Sequence, residues 1–254
     1  MPHLNANGIS LAYDDVGPPG AERCIILIHG FASNRNENWR RVGWCGAFER
    51  RHIRAVAFDV RGHGESEKPH AVEAYAVPVL VADIFAIMDA LGIGSAALMG
   101  YSMGARLALS AALLRPERCD LLVLGGVGGR LFDPPSSGNP MADAMEKQSA
   151  EDITEPFLRS FRQFADAQGE DRLALAACAR ARGTSFQPGA LSELRAPTLV
   201  VAGARDSLAG DPEELAAAIP AARAATLPGC DHFSAIAHLL HKAAVFDFFD
   251  EMPI

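Results

Sequence analysis

Ala96-Ala97-Leu98-Met99-Gly100-Tyr101-Ser102-Met103-Gly104-Ala105-Arg106-Leu107-Ala108-Leu109 is the stretch from which the rest of the chain can be read. An apolar run at 96–99 leads into G-x-S-x-G, and an Ala- and Leu-rich run at 105–114 follows, closed by Arg115-Pro116. This pattern predicts a strand, a sharp turn and a helix, with Ser102 at the apex. Both glycines have a steric reason, because side chains flanking so tight a turn would collide with the neighbouring strand or helix. A Gly-rich turn with a capping serine would be written in the same letters, so the reading depends on what surrounds it.

Working outward, short apolar runs recur at 24–28, 53–58, 95–99, 121–124 and 197–202, and each stops at Gly, Asp or His-Gly. Runs of this kind read as strands buried on both faces. Between them lie helical periods, such as Leu80, Ile84, Ile87, Met88 and Leu91, with Asp83 and Asp89 assigned to the opposite face. Alternating strands and helices predict an α/β fold with a mostly parallel central sheet covered by helices on both faces. In such folds reactive groups lie in loops at the carboxyl ends of strands, where His29-Gly30-Phe31, Asp59, Ser102 and Asp206 fall. The rhythm breaks over 127–194, which opens with Asp133-Pro134-Pro135-Ser136-Ser137-Gly138-Asn139-Pro140 and continues with helix-like segments around 153–164 and 172–181. We expect 1–126 and 195–254 to form one core and 127–194 to form an inserted helical cap.

A serine hydroxyl is a poor nucleophile until a base takes its proton and an acid orients that base, so a reactive Ser102 requires a carboxylate and a histidine downstream. Asp206 follows the run at 197–202, and His232 follows a short run at 224–227. Asp211 stands before Pro212-Glu213-Glu214, where a helix N-cap accounts for it. His238 and His241 are three residues apart in the final helical run, and His3, His52 and His70 stand in polar segments. Charge developing on a carbonyl oxygen needs fixed N–H donors; the backbone N–H groups of Met103 and Phe31 are placed to supply them.

Composition sets outer limits. The 254 residues are 49% hydrophobic and 21% charged, enough apolar mass for one large core. With 23 Lys and Arg against 31 Asp and Glu, the net charge of −8 argues against nucleic acid or anionic membrane as partner. Cys24, Cys45, Cys119, Cys178 and Cys230 are odd in number and without a CxxC pair, so neither a disulfide framework nor a zinc site is expected. No signal peptide or membrane span is read, and a soluble cytoplasmic protein follows as the expectation.

Together the elbow around Ser102, the His29-Gly30 segment and Asp59-Val60-Arg61-Gly62-His63-Gly64-Glu65-Ser66 resemble the α/β-hydrolase fold superfamily, the last segment matching the D-x-R-G-H-G-x-S loop of its capped members. The resemblance implies Ser102 as nucleophile, His232 as base and acid, Asp206 as orienting carboxylate, Phe31 and Met103 as oxyanion donors, and structural roles for Arg61 and His63. It disfavours the aspartate-nucleophile members, the haloalkane dehalogenases and epoxide hydrolases, because position 102 is Ser. Two positions depart from the usual pattern: Asp231 stands where Gly often precedes the histidine, and no proline follows Asp206 closely.

The expectation is a serine hydrolase acting on a small carboxylic ester or lactone, with no cofactor or metal and a small-molecule substrate. A meta-cleavage C–C hydrolase, whose members commonly carry Trp where Phe233 stands, and a slow or inactive ligand receptor on the same fold remain alternatives. Tyr101 and Phe233 are candidate pocket residues. Phe157, Phe161 and Phe164 read as a core-packing stripe, and Arg159, Arg162, Arg172, Arg180 and Arg182, with Glu155, Asp166, Glu170 and Asp171 among them, as a solvated helix surface. The cysteines read as small buried hydrophobes, with Cys230 near the site, and the oligomeric state is not legible.

Overall fold

A computed structural model describes residues 2–18, 20–134, 138–181 and 185–252. Pro135, Ser136, Ser137 and Arg182, named above, lie outside them. Eight strands form one sheet: β1 (His3–Ala6), β2 (Ile9–Val16), β3 (Arg23–Ile28), β4 (Ile53–Phe58), β5 (Ala96–Tyr101), β6 (Cys119–Gly125), β7 (Thr198–Gly203) and β8 (Arg223–Leu227). Their order is β1-β2-β4-β3-β5-β6-β7-β8. From β4 to β8 every pair is parallel, whereas β1 with β2 and β2 with β4 are antiparallel.

The sequence reading missed β1 and β2. Their burial is partial, so the continuous apolar run that marks a strand covered on both faces is absent. The strands it found from β3 to β7 are buried or nearly so, and β5 and β7 are buried at every residue, whereas the edge strand β8, also found, has only Leu227 buried.

Nine helices accompany the sheet: α1 (Trp44–Arg50), α2 (Val77–Ala90), α3 (Met103–Leu114), α4 (Pro140–Glu146), α5 (Pro156–Gln168), α6 (Arg172–Arg180), α7 (Pro188–Leu191), α8 (Pro212–Ala217) and α9 (Leu239–Glu251), counted among the described residues. One face of the sheet packs on a core with Ile26, Ile28, Leu98, Ile84 and Leu109, and the other on Trp44, Phe48, Val245 and Phe249. Arg23 ties the first parallel strand to α9 by donating to the Phe249 and Met252 carbonyls at 2.9 and 3.1 Å.

In α2 the assignment of Asp83 to a solvent face is corrected. Asp83 is buried and receives Arg61 bidentately, Nε and Nη2 each 2.7 Å from a carboxylate oxygen. Asp89 is the exposed one of the pair, bound by Arg118 at 2.7 Å.

Helices α4 to α7 lie in the long connection between β6 and β7. Met141, Met145, Phe161, Ala165 and Leu175 form a small core of their own that closes on Ala32 in the loop after β3. Arg162, expected on a solvated surface, is buried within it. Its guanidinium donates to the carbonyls of Ala144, Lys147 and Gln148 and to Asp166, so a cation supplies the hydrogen bonds that the end of α4 lacks. The expected loop at 133–140 ends in Asn139, whose side chain caps α4 by accepting from Ala142 N–H at 3.2 Å.

Candidate active site

Ser102 sits between β5 and α3 with φ 54° and ψ −111°, outside the regions open to an unstrained L-residue. Its N–H donates to the Gly125 carbonyl of β6 at 2.8 Å, fixing the turn from the neighbouring strand. A side chain at Gly104 would run into the Ile28 and His29 carbonyls, and one at Gly100 into the Gly104 peptide. The two glycines therefore let α3 close onto β3 and β5 at a separation that no larger residue permits.

The three residues drawn from separate parts of the sequence meet here. His232 Nε2 lies 3.0 Å from Ser102 Oγ and Nδ1 lies 2.8 Å from Asp206 Oδ2. An ionised carboxylate only accepts, so the ring proton sits on Nδ1 and Nε2 is free to take the serine proton. Asp206 Oδ1 accepts the N–H groups of Leu208 and Ala209, both at 3.0 Å, which holds the carboxylate in a buried turn after β7. The Ser207–Gly210 loop thus binds the acid without a proline. Asp231 does not compete for the imidazole: its carboxylate accepts from Phe233 N–H, Ser234 N–H and Ser234 Oγ, capping the turn it occupies. Asp211 caps α8, accepting Glu213 N–H at 2.9 Å, as the sequence indicated.

The loop carrying His232 is held at several points. Tyr101 Oη donates to the His232 carbonyl at 2.5 Å, Trp44 Nε1 to the Ile236 carbonyl at 2.9 Å, and His241 Nδ1 to the Ala235 carbonyl at 3.1 Å. Burial pushes the His241 ring down to about 4, so it stays a neutral donor. Neither this supporting role of His241 nor that of Tyr101 was visible in the sequence, since both partners are main-chain carbonyls, which carry no sequence signature.

After β3 the chain is pinned on both sides of the Gly30–Phe31 peptide. Gly30 N–H donates to Asn38 Oδ1 at 2.7 Å, and the Gly30 carbonyl accepts His29 Nδ1–H at 2.8 Å and Ser33 N–H at 3.2 Å. His29 Nε2 accepts Val60 N–H at 2.9 Å, which leaves the ring proton on Nδ1. In a trans peptide the N–H points opposite to the C=O, so these bonds dictate where Phe31 N–H points. Gly30 lies against the elbow: a Cβ there would touch the Tyr101 carbonyl and Ser102 Cβ. Among the described residues neither Phe31 N–H nor Met103 N–H, the first of α3, has an acceptor within the chain.

Behind this loop the His29 and His63 rings pack at a tilt with centroids 5.1 Å apart, and His63 Nδ1 donates to the Arg61 carbonyl at 3.1 Å. Burial drives His29 down to about 4 and, with the neighbouring His29, His63 to about 3. Asp59, fully buried, accepts Arg35 N–H at 2.7 Å and Glu65 N–H at 2.8 Å and pairs with the Arg35 guanidinium. The Asp59–Ser66 segment is accordingly a scaffold for the neighbouring loop.

A cavity of about 460 Å³ opens over Ser102, a size suited to a small organic molecule. Phe31, Phe161, Phe164 and Phe233 border it on one side and Ser33, Glu37, Asn38 and Arg41 on the other, with Tyr101 and His232 beside Ser102. Phe161 and Phe164 pack on the small core of this connection, as expected, and also border the cavity, where Phe233 meets them at 5.2 and 6.2 Å between ring centroids. The polar wall was not read from the sequence. It is carried by the turn at Asn36–Arg40, where Arg41 N–H reaches five residues back to the Asn36 carbonyl at 2.8 Å, a widened turn of the kind often found at functional sites.

Glu170, between α5 and α6, was also read as solvated. It is buried, with Oε1 accepting Asn34 Nδ2 at 3.1 Å and Oε2 accepting Gly64 N–H at 2.8 Å, and burial raises its carboxyl above the usual range. Cys45, Cys119, Cys178 and Cys230 are buried, Cys230 two residues before His232, while Cys24 is half-buried. Among the described residues no group of three His, Cys, Asp or Glu side chains is placed to hold a metal ion, and no helix is long and apolar enough to cross a membrane.

Compared with known proteins, residues 23–171 match the family model described as the alpha/beta hydrolase fold. An epoxide hydrolase of Caballeronia sordidicola is 38% identical over 115 residues, covering 45% of this chain and 33% of that protein. The chain spans about a third to two-fifths of the length of the first curated relatives it matches. Over whole structures, the enol-lactonase of Burkholderia xenovorans LB400 superposes with a TM-score of 0.81 at 26% identity, covering 98% of this chain and all of that one. The meta-cleavage product hydrolase of Pseudomonas fluorescens IP01 superposes with a TM-score of 0.77 at 25% identity, covering 99% and 98% of the two chains.

Proposed function

On the premise that this chain belongs to the alpha/beta hydrolase fold family, we propose that it is a serine hydrolase that cleaves a small carboxylic ester or lactone through an acyl-enzyme on Ser102. The observation that supports this reading most directly is the unbroken line from Ser102 Oγ to His232 Nε2 at 3.0 Å and from His232 Nδ1 to Asp206 at 2.8 Å, opening on a cavity of about 460 Å³.

The chemistry follows from that line. His232 Nε2 takes the proton as Ser102 Oγ attacks the substrate carbonyl, and the resulting imidazolium is stabilised by Asp206. Negative charge moves to the carbonyl oxygen, where the N–H groups of Phe31 and Met103 receive it; each such donor lowers the barrier by about 3 kcal/mol. The C–O bond then breaks, His232 returns the proton to the departing alkoxide, and water activated by the same ring releases the acyl group. Residues 127–194 act as the cap, with Phe161 and Phe164 of α5 shielding the site from solvent.

Serine at position 102 separates this reading from the epoxide hydrolase relative, since an aspartate nucleophile is the feature that the family resemblance attaches to such members. The likeness to the Pseudomonas fluorescens enzyme favours a second reading, C–C cleavage next to a ketone by the same serine and histidine. Both readings share the test. Intact mass after brief exposure to a small fluorophosphonate should show one adduct, absent in Ser102→Ala and slowed at least a hundredfold in His232→Ala. Turnover of aryl esters, lactones and vinylogous diketones then separates ester from C–C chemistry. A folded wild-type protein that takes no adduct would overturn both and leave a ligand receptor.

A further inference from the structure

Glu170 belongs to the connection between β6 and β7, yet its carboxylate reaches across to two loops of the sheet-bearing part of the molecule. Burying a carboxylate is costly unless every lone pair is engaged. Here Oε1 accepts Asn34 Nδ2 at 3.1 Å and Oε2 accepts Gly64 N–H at 2.8 Å.

From Asn34 the hydrogen bonds continue without a gap. Its Oδ1 accepts Glu37 N–H at 3.0 Å and its carbonyl accepts Asn38 N–H at 3.0 Å. Asn38 Oδ1 in turn accepts Gly30 N–H at 2.7 Å, immediately before the peptide that presents Phe31 N–H. The Gly64 branch ends in the same region: Gly64 follows His63, whose ring packs at a tilt against His29 at 5.1 Å and meets Phe31 at 5.9 Å.

We propose that Glu170 is a positioning residue that couples docking of the α5–α6 turn to the orientation of the Phe31 N–H donor, through Asn34, Asn38 and Gly30. The proposal rests on the serine-hydrolase reading above. Without the carboxylate, Asn34 loses its outer anchor and the Gly30–Phe31 peptide is held only by His29, Ser33 and Asn38. A donor that wanders by a few tenths of an ångström loses much of its effect on a developing oxyanion and little of its effect on ground-state binding.

A neighbouring contact supplies the control. Asp171 pairs with His70 Nε2 at 2.9 Å, tying the same turn to the loop before α2 without touching Asn34 or Gly64. If Glu170 were only an attachment point, His70→Ala and Glu170→Ala would act alike.

The experiment compares Glu170→Ala, Glu170→Gln, Asn34→Ala, the Glu170→Ala/Asn34→Ala pair and His70→Ala, using p-nitrophenyl acetate turnover, affinity for a phenylboronic acid as tetrahedral-anion mimic, and hydrogen exchange of residues 29–38. Glu170→Ala is expected to lower kcat and boronate affinity about 10- to 100-fold with KM changed less than threefold, and to speed exchange in 29–38. Asn34→Ala should match it, with the double variant little worse than either, Glu170→Gln should recover part of the loss, and His70→Ala should stay within threefold of wild type. Unchanged exchange in Glu170→Ala, or equal effects of Glu170→Ala and His70→Ala, would overturn the coupling. Exchange is read without substrate, so it decides the coupling even if the fluorophosphonate leaves Ser102 unmodified and the serine-hydrolase reading falls.

Discussion

Tyr101 shows what a single side chain does on the less visible side of the site. Its ring is buried beside Ser102 and its hydroxyl donates to the His232 carbonyl at 2.5 Å, so the residue before Ser102 also holds the loop that carries His232. Burial, with the carboxylates of Asp206 and Asp231 near it, raises the phenol well above its ordinary value and keeps it a donor. Tyr101→Phe leaves that carbonyl without its partner; urea denaturation should show a loss of about 1–2 kcal/mol, with kcat falling more than KM rises. No loss of stability would mean that water replaces the hydroxyl. The three residues proposed as the triad were legible because their order and their places after strands are sequence properties. Glu170, Arg162 and Asp83 were not, because a charged residue on a helix or in a turn gives no sign of which carbonyl, amide or guanidinium lies across the interface.

At the scale of elements, the junction of β5 with α3 concentrates the most constraint. A serine at φ 54° is strained by about 1–3 kcal/mol, and the helix that follows must approach β3 closely enough for Gly104 to lie against the Ile28 carbonyl. Gly104→Ala therefore displaces α3 as a body. We expect a stability loss of about 3 kcal/mol and a drop in fluorophosphonate labelling of at least a hundredfold, while far-ultraviolet circular dichroism stays near wild type. Labelling at the wild-type rate would show that the helix can shift without moving Ser102. The parallel strands and the helices between them were readable from apolar runs and their stops. The antiparallel pair β1 and β2 and the widened turn at Asn36–Arg40 were not, since partial, irregular burial and a five-residue hydrogen bond leave no period in the sequence.

Across the whole molecule, three histidines are held neutral by burial: His29 and His241 near 4 and His63 near 3. In the unfolded chain each binds a proton near 6.5, so unfolding between about pH 6.5 and 4 takes up as many as three protons. Stability from this source is complete above about pH 6.5 and falls as the pH drops, by about 1.4 kcal/mol per pH unit for each proton. Glu170, whose carboxyl is raised instead, opposes this by at most one proton. The urea midpoint should decline steadily from pH 7 to 5, and His241→Gln should flatten the slope by about a third whatever its effect at pH 7. A midpoint independent of pH over that range would mean that the rings accept protons within the fold.

The proposed triad and both proposed N–H donors lie outside 127–194, whereas Phe161 and Phe164 lie inside it. On the proposed reading, reactivity and selectivity are written on different lengths of chain, an arrangement that invites recombination: a foreign segment grafted between β6 and β7 would bring a new substrate range to an unchanged reaction. The Glu170 contact at the α5–α6 turn limits which grafts succeed. A donor segment without a carboxylate at that point would replace the walls of the cavity and, in the same stroke, loosen the chemistry beneath them.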